Sequence, residues 1–137
     1  MTTVLAPVRY PLSDHSRRTL AEAVDIADVE DGHLIVLHIN VYQEGKRVTR
    51  SELKRAVERE FGRMENARYL IRQGFIVEQT ILETVASENP DTVVIGHKQL
   101  SRWRRAVRRL FSDPDIASFL NDRIDAELVV VSPPDQS

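Results

Sequence analysis

Leu34-Ile35-Val36-Leu37-His38-Ile39 decides the fold. The run is almost continuously apolar and rich in branched side chains. A strand buried on both faces reads this way, and such strands belong to parallel sheets covered by helices. Thr92-Val93-Val94-Ile95, running into Gly96, has the same character. Upstream, Val4-Leu5-Ala6-Pro7-Val8 is a short apolar strand ended by Arg9-Tyr10-Pro11. Downstream, Glu127 to Val131 is the last strand, and Pro133-Pro134 ends the order.

Helical patterns fill the intervals. Ser13 or Asp14 caps a helix carrying Leu20, Ala23, Val24 and Ala27, closed by Asp31-Gly32. Gln43-Glu44-Gly45-Lys46 is a loop. Thr49 and Glu52 form a capping-box pattern before a long amphipathic stretch with Leu53, Val57, Phe61, Met64 and Ile71 on one face. Gln73-Gly74 stops it, and Phe75-Ile76-Val77 starts the third strand. Thr80 caps a short helix with Ile81 and Val85, ended by Asn89-Pro90. Asp113-Pro114 reads as an N-cap with proline at the first helical position, and Ile116, Phe119 and Leu120 face inward on that helix. Strands and helices therefore alternate, which predicts an α/β three-layer sandwich with helices on both faces of a parallel sheet.

Composition removes other classes. A chain of 137 residues predicts one domain, 1–137, able to bury a core without staples. With 42% hydrophobic and 29% charged residues it is neither disordered nor fibrous. No apolar run reaches the roughly 20 residues of a membrane helix. Met1-Thr2-Thr3-Val4 lacks the basic and apolar blocks of a signal peptide, so the expected location is cytoplasmic. Cysteine is absent, which excludes disulfides and thiolate metal sites.

In an open parallel sheet, ligands bind beyond the carboxyl ends of the strands, where strand order reverses. Those ends are Val8-Arg9, Ile39-Asn40 and Gly96-His97-Lys98. Gly96 would allow close backbone approach or a positive φ, as a phosphate-binding turn requires, or it simply turns the chain. From His97 to Phe111 the chain carries Lys98 and arginines 102, 104, 105, 108 and 109 with no acid, a charge of +6. The whole chain is at −2, so the remainder sums to −8. Ser101 can cap a helix here, with Trp103, Val107 and Leu110 on its core side. Either this is a solvated surface helix or it contacts phosphate, nucleic acid or a membrane surface. Arg9 and Lys98 add charge beside the expected pocket, so a small anion is the best of the ligand readings. One tryptophan gives poor support for stacking on single-stranded nucleic acid.

Other chemistry has little footing. His38, within an apolar strand, reads as a satisfied core histidine, and His15, His33, His38 and His97 do not have metal-ligand spacing. No serine sits in a nucleophile elbow. Glu52, Glu58, Glu60 and Glu65 read as a solvated helix face. No catalytic residue stands out.

The segments Val4 to Val8, Ser16 with Leu20 and Ala21, Val36 to Ile39, Asp91 to Gly96 and Glu127 to Val131 together resemble the universal stress proteins over nearly the whole chain. The resemblance implies a Rossmann-like, adenine nucleotide alpha hydrolase-like sheet of order 3-2-1-4-5. It also implies a homodimer paired through Glu127, Leu128, Val129, Val130 and Val131. One branch of that family binds ATP through an aspartate after the first strand and a glycine-rich motif after the fourth. Here Arg9 stands at the aspartate's place, Gln99 at the second glycine's, and Pro114-Asp115 where Gly-Ser would be. A carboxylate there repels phosphate and proline removes an amide donor. The site expected is therefore Pro7, Val8, Arg9, Ile39, Gly96, His97 and Lys98, with Arg102, Arg104 and Arg105 holding an anion or an acidic partner. Two functions follow. One is a non-catalytic binding or signalling module in stress response; the other is an ATP- or AMP-binding protein with a modified phosphate loop and slow hydrolysis.

Overall fold

Alternation along the strands builds the layers. A computed structural model describes residues 2–112, 114 and 126–131. Five parallel strands, β1 (Thr3–Pro7), β2 (His33–Val41), β3 (Ala67–Gly74), β4 (Thr92–Gly96) and β5 (Glu127–Val131), lie in the order β3-β2-β1-β4-β5. Helices α1 (Asp14–Val29) and α2 (Arg50–Phe61) cover one face, and α3 (Val77–Glu88) and α4 (Leu100–Phe111) the other. Val4, Ala6, Leu34, Val36 and Val94 point toward Leu20, Ala23, Leu53 and Val57. Their neighbours Leu5, Ile35, Leu37, Val93 and Ile95 point the other way, toward Ile81, Leu82, Val85 and Trp103. Because successive side chains leave opposite faces of a strand, one apolar run feeds two cores. The expected three-layer α/β sandwich and its strand order are both present.

Local signals set most of the element ends. Ser13 caps α1, accepting the Ser16 amide at 3.1 Å. Thr49 and Glu52 make the reciprocal capping box of α2, with Thr49 N to Glu52 Oε1 at 3.1 Å and Glu52 N to Thr49 Oγ1 at 3.2 Å. Asn89 ends α3 in the left-handed region at φ 50°, which asparagine tolerates better than most residues. Buried Asn40 exchanges two 3.0 Å hydrogen bonds with the Val48 backbone and pins the chain between β2 and α2.

The third strand lies elsewhere than expected. The helix does not continue to Ile71: α2 stops at Phe61, where Gly62 turns the chain at φ 77°, a left-handed value that glycine adopts readily. The strand is Ala67–Gly74, and Phe75 and Ile76, 67% and 44% exposed, lie beyond it. Its polarity conceals it, because this edge strand carries Arg68 and Arg72 outward to Glu88 of α3, at 3.3 and 3.7 Å. Charged edge strands hinder pairing with other chains. Thr80 is not a cap either; inside α3 its hydroxyl donates back to the Ile76 carbonyl at 2.9 Å. Ser101 likewise lies within the first turn of α4, preceded by a 3₁₀ turn at His97–Gln99. The helix expected after Asp113, with Ile116, Phe119 and Leu120, and the Pro114-Asp115 pair except Pro114, lie outside the described residues.

Candidate functional site

Strand order reverses between β1 and β4, so the chain diverges there and opens a cavity of about 600 Å³ at the carboxyl end of the sheet. Its rim is fixed by hydrogen bonds. Val8 N donates to Leu37 O at 2.8 Å, continuing the β1–β2 ladder past Pro7. Arg9 N donates to Ser16 Oγ at 2.9 Å, tying the loop after β1 to the first turn of α1. From the other side His38 Nδ1 lies 3.0 Å from the Val8 carbonyl, so this nitrogen carries the proton and donates. The Arg9 side chain is left exposed at the mouth.

Six of the seven expected pocket residues line this cavity: Pro7, Val8, Arg9, Ile39, Gly96 and Lys98. His97 is not among the lining residues and sits edge-on to His15, with ring centroids 6.1 Å apart. Of the three arginines singled out, Arg102 lines the cavity, whereas Arg104 and Arg105 are exposed and outside its lining. Trp103 is buried against α3 and β4, so α4 is anchored by its apolar side with its cations outward. His38 has the backbone partner expected of a core histidine but also lines the cavity.

Sequence reasoning missed Ser16, Glu44 and Glu78, which also line it. Glu44 belongs to the 3₁₀ turn Tyr42–Glu44 that follows β2. Glu78 lies in the first turn of α3, and placing a strand over Phe75-Ile76-Val77 hid that position. An acid in a helical first turn was the available signal.

The cavity is therefore polarised. Arg9, Lys98 and Arg102 bring positive charge from β1, β4 and α4. Glu44 and Glu78 bring negative charge from the β2 and β3 side. His15 is held below the ordinary histidine range, first by Lys98, then by desolvation, Arg18 and His97, with Asp14 opposing. Gly96 does not adopt a positive φ; it is extended at φ −76° and ψ 154°. A Cβ there would meet only Thr19 Oγ1, at an ordinary 3.5 Å. The turn after β4 coils directly into α4, with Leu100 N bonded to His97 O, so that amide is not available to a ligand. What the cavity offers a negative charge is chiefly the side-chain cations Arg9, Lys98 and Arg102. Among the described residues no group of three or more histidine, aspartate or glutamate side chains is placed to hold a metal.

No protein-family model matches the chain, and no curated protein matches it. Solved structures do. A universal stress protein in complex with cAMP aligns at TM-score 0.59 and 19% identity, covering 95% of this chain and 96% of that one. A universal stress protein from Archaeoglobus fulgidus DSM 4304 aligns at 0.61 and 18%, covering 98% of this chain and 45% of that one. Universal stress protein UspA from Lactobacillus plantarum aligns at 0.57 and 19%, covering 95% and 97%. The fold is thus that of the universal stress proteins.

Proposed function

We propose that this chain is a universal-stress-type, non-catalytic binding or signalling module of the cytoplasm, whose cavity takes a small anionic or phosphate-bearing ligand. The observation that carries the reading is the convergence of Arg9, Lys98 and Arg102 on one cavity at the switch point of the sheet. Exposed Arg104 and Arg105 extend that field for a longer ligand or an acidic partner surface. Among the described residues no helix is long and apolar enough to cross a membrane. Native mass spectrometry of protein purified without added nucleotide, followed by calorimetry with ATP, AMP and pyrophosphate, tests the reading. Binding that weakens with salt and no phosphate release above background support it.

A second reading is favoured by one specific observation, that a protein of this fold was solved in complex with cAMP. On this reading the cavity holds ATP or AMP and hydrolyses nucleotide slowly. Co-purified ATP or AMP, and phosphate release abolished by Gly96→Val, would establish it over the first.

The assembly proposed is a homodimer through Glu127–Val131. Among the described strands β5 is an edge, its two faces half-buried by both cores. Glu127 N donates inward to Asp91 O at 2.9 Å, so alternation turns the Leu128 and Val130 amides outward. Two copies paired antiparallel about a two-fold axis would satisfy them. Val130→Pro removes one outward amide and should give monomers by light scattering; an unchanged dimer mass would place the interface elsewhere.

A further inference from the structure

Glu78 does not suit a site for simple anions. It is only 9% exposed, and it lines the same cavity as Arg9 and Lys98. Among the described residues its carboxylate makes no hydrogen bond, and its one ion pair, to Arg102 Nε, is long at 3.8 Å. Its oxygens are not sealed off, because the one fully enclosed, unpartnered side-chain atom among the described residues is the Tyr69 hydroxyl. A carboxylate accepts up to about four hydrogen bonds, and this one takes none from the described residues, so its oxygens are open to donors that enter the cavity. In a pocket for phosphate alone it would be a repulsive element facing the ligand.

Geometry gives it another role. Glu78 comes from the first turn of α3, which follows β3, and Arg9 from the loop after β1, so the two reach the cavity from elements two strand positions apart in the sheet order. Glu44, after β2, adds to the acidic side. We propose that the cavity is built for a ligand joining a phosphate to N–H donors, with the phosphate on Arg9 and Lys98 and the donors on the Glu78 carboxylate. Side-by-side donors, such as the N–H edge of a guanine-type base, match the two oxygens of one carboxylate; adenine's edge alternates donor and acceptor and matches less well. Arg102 lines the same cavity, 3.8 Å from the Glu78 carboxylate. This inference rests on the anion-binding reading above and deepens it by naming the second half of the ligand.

Calorimetry on the full chain at fixed low salt, with pyrophosphate, AMP and GMP as probes, tests it through opposite signs. Wild-type protein should bind GMP more tightly than AMP. Glu78→Gln keeps the shape and removes the charge, so it should weaken GMP about tenfold, as loss of a charged hydrogen bond does. The same variant should tighten pyrophosphate about twofold or more, because a repelling charge is gone. Glu78→Asp retains the carboxylate and should leave pyrophosphate unchanged while weakening GMP by less. If Glu78→Gln tightens GMP and pyrophosphate alike, or leaves both unchanged, Glu78 does not read donors and the inference fails while the anion site stands. If wild-type protein binds none of the three, the anion site itself is wrong and the inference falls with it.

Discussion

The two ends of the sheet are built from similar residues and finished differently. At the amino end the polar groups close on each other. Thr3 N donates to Asp91 Oδ2 and Asp91 N to Thr3 O, both at 2.8 Å. Asn66 Nδ2 donates to Gly32 O at 2.9 Å, while the Asn66 carbonyl takes Leu34 N at 2.9 Å. A cavity of about 370 Å³ lies among these groups, lined by Thr3, His33, Asn66 and Arg68, yet Arg68 already has Glu88 at 3.3 Å. At the carboxyl end the backbone is equally well tied, but the charges are not. Among the described residues neither Arg9, Lys98 nor Glu44 has an ion-pair partner. A cavity alone does not distinguish a binding site; polar groups whose partners are still to come do.

That contrast breaks or holds under mutation. The largest effect expected is on binding. Reversing Arg9 and Lys98 together to glutamate should weaken pyrophosphate by about 100-fold or more, since each charged contact is worth roughly 1.5–3 kcal/mol. The melting temperature should stay within about 2 °C, because exposed charges contribute little stability. A large fall in melting temperature with unchanged binding would reverse the roles assigned to the two ends.

The amino end should answer in the opposite way. Asn66→Ala removes a side-chain bond that joins β3 to the turn before β2 and should cost about 1–2 kcal/mol, or roughly 3–10 °C for a chain of this size. Gly32→Ala drives a Cβ into the Thr2 carbonyl, so the start of the β1–β2 ladder must shift, with a loss of about 1–3 kcal/mol. Pyrophosphate affinity should remain within about twofold of wild type in both, since neither touches the carboxyl end. Differential scanning calorimetry beside titration reads both quantities.

Smaller effects sharpen the boundary of the site. Arg102→Gln should weaken pyrophosphate about fivefold to tenfold, whereas Arg104→Gln with Arg105→Gln should change it by about twofold and mainly lower its salt dependence. Equal losses from the two would extend the site along α4.

The smallest effect expected is in pH. His15 is held below its ordinary value, chiefly by Lys98. The unfolded chain therefore takes up this proton first as pH falls, so stability contributed above about 6.5 declines below that value. A bound anion offsets the Lys98 charge, raises the His15 pKa and draws in a proton. Calorimetry near pH 6 in buffers of different ionisation enthalpy should show proton uptake on binding, and His15→Gln should remove it. Uptake unchanged in that variant would assign the proton to another group.

Each element that the sequence specifies alone does so through a local or periodic signal. Leu34 to Ile39 and Thr92 to Gly96 read as buried strands because their apolar runs are short, rich in branched side chains and bounded by turn residues. Ser13, Thr49 with Glu52, and Asn89 mark helix ends through bonds that close within four residues. β3 escaped because its charged residues answer to a partner outside the strand: Arg68 and Arg72 are legible as strand only once Glu88 stands beside them. The site divides along the same line. Arg9, Gly96 and Lys98 follow from the rule that ligands meet strands at their carboxyl ends, a rule that needs only topology. The selection of Arg102 over Arg104 and Arg105, the exclusion of His97 and the arrival of Glu78 depend on how α4 and α3 pack, and a rotation of one residue about either helix would change the outcome. Strand burial and capping are written in short windows of sequence. Which charges come together in the cavity is set by helix packing on the sheet, and only the tertiary structure decides it.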